Sequence, residues 1–84
     1  MSVSDTKKSV ETVGRSMSGM KKSLDGAAKQ FSGAAKQAQN VLKGANSVET
    51  QVTESIKQAE AAAKKAADAV NKAVDACNNW VATH

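Results

Sequence analysis

Every seventh residue from Val3 is apolar: Val3, Val10, Met17, Leu24, Phe31, Ala38, Ala45, Val52, Ala59, Ala66, Ala73 and Trp80. No other feature restricts the fold of this chain as tightly. Seven residues are two turns of α-helix, so a seven-residue apolar period held from end to end describes helices packed along a common seam. We name this column a. Column d, three residues on, reads Thr6, Val13, Met20, Ala27, Ala34, Val41, Val48, Ser55, Ala62, Ala69, Ala76 and Thr83. Column f, opposite the seam, is polar and mostly basic, with Lys8, Arg15, Lys22, Lys29, Lys36 and Lys43 in the first half. The fold class is all-α and coiled-coil-like, with alanine-rich heptads.

The period is interrupted in quality, though not in phase, at the middle of the chain, where the sequence is VLKGANSVETQV (residues 41–52). In the first half the apolar neighbour of a is d, as in Val10–Val13, Met17–Met20 and Leu24–Ala27. In the second half it is e, one residue beyond d, as in Val52–Ile56, Ala59–Ala63, Ala66–Val70 and Ala73–Cys77. Gly44 suits the left-handed position just past a helix C-terminus, and Lys43 suits the negative end of the helix dipole. Asn46 is a good N-cap and Glu49, three residues on, completes a near capping box, with Ser47 as an alternative cap. These signals predict an antiparallel hairpin with helix one at about 5–43, a turn at about 44–46 and helix two at about 47–82. The alternative is one continuous long helix in a coiled-coil oligomer.

Folding the chain about residue 45 tests the hairpin against side-chain size. Met17 then faces Ala73, Leu24 faces Ala66, Phe31 faces Ala59 and Ala38 faces Val52, so large meets small as interdigitated packing prefers. Val10 faces Trp80, Val13 faces Cys77, Met20 faces Val70 and Ala34 faces Ile56. The expected hairpin seam is therefore Val10, Val13, Met17, Met20, Leu24 and Phe31 against Val52, Ile56, Ala59, Ala66, Val70, Cys77 and Trp80.

Size and composition exclude several classes of function. The 84 residues form one small domain, and small domains with modest cores usually need disulfides, metals or partners. Cys77 is the only cysteine, so no internal disulfide forms. Cys77 and His84 are too few for a structural zinc site. No apolar run exceeds three residues, as in Ala61–Ala63, against the ~20 needed to span a bilayer. Met1–Lys8 is polar and no apolar segment follows, which predicts no cleavable signal peptide and a protein that is cytoplasmic or exported by another route. Catalysis needs a base oriented by a partner group. No carboxylate pair, histidine arrangement or glycine-rich phosphate loop supplies one, so the chain is expected to be no enzyme and to hold no cofactor.

Partners remain. Gly19, Gly26 and Gly33 lie seven apart on helix one, and Ala62, Ala69 and Ala76 form a second apolar strip on helix two. Small residues let helices approach closely, which suggests these strips as contacts between copies. Residues 1–45 carry eight Lys or Arg against three acids, a balance of +5, and residues 46–84 carry four Lys against five acids, a balance of −1. The basic f column then fits either a solvated face, attraction to the acidic helix of another copy, or an anionic surface. Nucleic-acid recognition usually adds aromatic stacking, whereas Phe31 and Trp80 both sit in the seam column. In outline the chain resembles type III secretion needle subunits and the small secreted partners of type VII systems. Its GANS turn lacks the prolines of the first group, and its only tryptophan, Trp80, lies far from the turn where the second group carries one. The expected function is a structural protein, a self-assembling hairpin subunit of a filament, tube or larger bundle. The alternatives are a helical adaptor or secreted partner that completes another protein's bundle and, more weakly, a basic helix pair on nucleic acid or anionic membrane.

Overall fold

A computed structural model describes residues 2–84; Met1, included in the single expected domain, lies outside them. Helix α1 spans Val3–Val41 and α2 spans Ser47–Thr83, and the two pack against each other along their length. The particle measures 64 × 16 × 13 Å. At about 1.5 Å per residue an uninterrupted helix of the whole chain would reach roughly 125 Å. The observed length accommodates α1 once, so the chain doubles back as an antiparallel hairpin and the continuous helix is discarded.

The helix ends show why the break falls where it does. Ser2 caps α1 from an extended backbone, its hydroxyl accepting from the Asp5 N–H at 3.1 Å, with the Asp5 carboxylate in the positive first turn. The helix thus begins two residues before the expected Asp5. At the other end the Leu42 N–H donates to the Ala38 carbonyl at 2.9 Å, and the Ala45 N–H donates to the Leu42 carbonyl at 2.8 Å. Gly44 takes φ +87°, the left-handed conformation expected of it. Asn46 stands at the N-cap position of α2 as anticipated, but with φ 57° and no capping hydrogen bond from its side chain. An N-cap side chain reaches the first helical N–H groups from an extended backbone; Asn46 is used instead for its tolerance of the left-handed region. Ser47 is the first residue of α2, and Glu49 lies in its first turn.

The seam departs from the expected one. Its fully buried members are small: Gly14, Ala28 and Ala35 from α1, and Thr53, Ala63 and Ala67 from α2. No large side chain is fully enclosed. In α1 the burial follows columns a and e, through Val10, Gly14, Met17, Lys21, Leu24, Ala28, Ala35, Ala38 and Leu42. In α2 it follows e and b, through Ile56, Glu60, Ala63, Ala67, Val70, Val74, Cys77 and Val81. The expected d members of the α1 seam lie outside it, with Val13 50% and Met20 55% exposed, and Phe31 and Val52 are each 37% exposed. Ala59, Ala66 and Trp80 flank the seam, half-buried. The correction has a steric reason: the closest approach runs along the small column e of α1, Gly14, Ala28 and Ala35, with Met17, Leu24, Ile56 and Val70 half-buried beside it, and the bulkier column d of α1 rotates to the edge.

The register is close to the expected one. A Cβ on Gly14 would stand 3.5 Å from the Cys77 Cβ, so Cys77 meets Gly14 instead of Val13, a shift of one residue. Farther along, Ala28 and Ser32 line one groove with Glu60 and Lys64. Charge does not set this register. The two ion pairs among the described residues, Lys21–Asp25 at 3.0 Å and Glu60–Lys64 at 3.2 Å, both join positions i and i+4 of one helix, where such pairs contribute about 0.3–0.5 kcal/mol. One polar group is left in the seam: the Thr53 hydroxyl is buried without a hydrogen-bond partner, a cost on the order of 1–3 kcal/mol.

Candidate interaction surface

The seam divides the hairpin into two long sides of opposite character. Because α1 and α2 run in opposite directions, column f of both helices and column b of α1 emerge on one side, and column d of both helices and column a of α2 on the other, bordered by the a edge of the α1 seam. The first side is polar. Its three shallow grooves are lined by Glu11, Arg15, Ser18 and Asn78, by Asp25, Lys29, Ser32 and Lys64, and, beside the turn, by Gln39, Thr50, Glu54 and Lys57. The second side carries every exposed large apolar residue of the described chain: Val3, Val13, Met20, Phe31, Val41, Val48 and Val52. Half-buried Ala27, Ala34, Ala59, Ala66 and Ala73 continue the apolar surface between them. Neither column a nor column d contains a charged residue in either helix, and the next column outward on α1 reads Ser9, Ser16, Ser23, Gln30 and Gln37.

The helices contribute differently to this apolar side. The α1 half is bulky, with Met17, Met20, Leu24 and Phe31 in the middle. The α2 half is flat over its middle, with Ala59, Ala62, Ala66, Ala69, Ala73 and Ala76, of which Ala62, Ala69 and Ala76 are exposed. Val48 and Val52 border that plain at the turn end. At the far end the half-buried Trp80 indole is covered by the His84 ring, with centroids 4.3 Å apart and planes 13° from parallel. His84 Nδ1 lies 2.9 Å from the Trp80 carbonyl oxygen, which makes the ring a cap on the last turn.

The two strips expected to meet between copies lie on different sides. Ala62, Ala69 and Ala76 border the apolar side. Gly19, Gly26 and Gly33 lie on the back of α1, facing away from α2, with no other side chain within 4 Å of where their Cβ atoms would stand. The basic column Lys8, Arg15, Lys22, Lys29, Lys36 and Lys43 is fully solvent-facing and points almost directly away from the apolar side. Cys77 is half-buried in the seam. No three potential metal-ligating side chains cluster among the described residues, and no described helix is long and apolar enough to cross a membrane.

The residues that sequence periodicity missed are the buried small ones, Gly14, Ala28, Ala35, Thr53 and Ala67. A signal for three of them was present: Gly14, Ala28 and Ala35 share column e of α1, and small residues at a fixed heptad position mark the line of closest helix approach. No protein-family model, curated protein or solved structure matches the chain.

Proposed function

We propose that this chain is a non-catalytic structural subunit, a helical hairpin that associates with copies of itself into a larger helical bundle, filament or tube. The observation that carries this reading is the uncharged apolar side, which keeps Val13, Met20 and Val41 in solvent while the seam encloses only small residues. Burial stabilises at about 25 cal/mol per Å² of apolar surface, so a seam that fully buries only glycine, alanine and threonine and leaves its larger side chains half-exposed makes a marginal two-helix unit, and covering the bulky side supplies what the seam lacks. The geometry weighs against a lipid surface. A helix lying in a membrane interface carries its basic residues beside its apolar face, whereas here the six-residue basic column of α1 is on the back and only Lys65 and Lys72 of α2 border the apolar side. It weighs against nucleic acid as well, since Phe31 and Trp80 are both remote from that column.

Sedimentation velocity over a wide concentration range, with electron micrographs of the concentrated sample, tests the reading. The expected result is a concentration-dependent rise in mass, weakened only modestly by salt because apolar contact carries it. A stably folded monomer throughout the range overturns it and leaves the apolar side for a helix of another protein.

A further inference from the structure

The partner of the apolar side and its orientation follow from the shape of that side. We propose that it is covered by the same side of a second copy, with α1 of each chain lying against α2 of the other and both turns at the same end, so that two hairpins close into a four-helix bundle. This rests on the self-association proposed above and specifies which surface carries it.

Three observations support a second copy in this orientation. The first is area. The hairpin extends 64 by 16 Å in its two larger dimensions, a face on the order of 1,000 Å², which exceeds the ~800 Å² per partner of a standard stable interface. The second is shape. The α1 half of the face is bulky where the α2 half is flat, so a second copy is the complementary surface, provided α1 meets α2. Met20, bordered by the half-buried Met17 and Leu24 at the seam edge, then lies over the plain formed by Ala66, Ala69 and Ala73 of the other chain. Turning one hairpin end for end would instead set the bulk of α1 against the bulk of α1 and alanine against alanine, leaving the second pair underfilled. The third is charge. Columns a and d bring no charge into the contact, so nothing must be desolvated unpaired. The same-end arrangement places each basic α1, with seven Lys or Arg against three acids, between two α2 helices with four Lys against five acids, and every neighbouring pair runs antiparallel. The end-for-end arrangement would set the two basic helices against each other.

The test uses the full chain in two steps. Met20→Glu, with Val13→Glu as a second variant, puts a carboxylate on the face at residues that the isolated hairpin leaves half-exposed. Each should preserve helix content by circular dichroism while weakening self-association more than about tenfold; Gly26→Leu, on the back of α1, should associate as the wild type does. Orientation is read from spin labels on Ala45→Cys in a Cys77→Ala background. Same-end pairing gives a short distance between labels, set by packed helices about 10 Å apart, and end-for-end pairing gives one near the 64 Å length of the hairpin. A wild type that never associates removes the functional reading itself. Association that survives both glutamates, or is lost in Gly26→Leu, overturns the choice of face. Association lost with the glutamates but with labels far apart overturns the orientation.

Discussion

The seam and the open apolar side of this hairpin use opposite kinds of residue. Ala67 is 3% exposed and Ala28 6%, while Met20 is 55% exposed. In most small domains the largest apolar side chains lie deepest. Here depth is given to residues that let two backbones come close, and bulk is given to the surface. The difference teaches that hairpin formation and association are written in different columns of the same repeat. Columns a and e of α1 and b and e of α2 close the hairpin, and column d of both helices with column a of α2 remains for another surface. Mutations should therefore separate the two properties.

The largest expected effect is in the seam. Ala67→Leu adds bulk where no space exists and should cost about 1–3 kcal/mol, read as a lower urea midpoint, whereas Met20→Leu on the open side should leave the stability of the dilute hairpin nearly unchanged. Equal effects at the two sites would erase the distinction between them. Gly44→Ala touches neither surface but opposes the left-handed turn at φ +87°; it should cost about 1 kcal/mol or more, with a lower melting temperature at concentrations too low for association. Thr53→Val replaces the unpartnered buried hydroxyl with a methyl and should stabilise by about 1 kcal/mol, making the seam uniformly apolar at that level. The smallest effect contrasts two glycines. Gly26→Ala, in open space, should gain most of the ~0.8–1.0 kcal/mol helix-propensity difference. Gly14→Ala, whose new methyl would make an ordinary van der Waals contact with the Cys77 Cβ at 3.5 Å, should gain at least as much. A smaller gain at Gly14 in thermal melts would show that the seam is tighter than its geometry.

The hairpin itself was legible in the chain. Column a gave the helices, and Gly44 gave the break, because a glycine preceded by a lysine and followed two residues on by an asparagine has few uses inside a long helix. Asn46 was placed correctly and assigned the wrong task, since residue preference at an N-cap does not distinguish a capping side chain from a left-handed backbone. Ser2 was missed as the start of α1 because its neighbours Ser4 and Asp5 offer the same chemistry one turn along. The seam was misread by one column for a more general reason. A heptad repeat marks an apolar stripe wide enough to contain a, d and e together, and hydropathy favours its bulkiest edge, here Val13 and Met20. Which edge turns inward is decided by the partner helix, and against the alanine-rich α2 the glycine and alanine column packs closest. Thr53 was invisible for the same reason, being polar on a helix whose b column becomes a seam only once the register with α1 is fixed.

The central claim is that the bulky side of the hairpin is a contact surface and the seam is the fold. Hydroxyl-radical footprinting at increasing protein concentration tests it most directly, because it reads individual side chains in the unaltered chain. The account predicts that Met20 and Val13 lose reactivity as concentration rises while the exposed lysine side of α1 stays as reactive as in the dilute hairpin. Reactivity at Met20 that is independent of concentration, in a sample whose mass is rising, would contradict it.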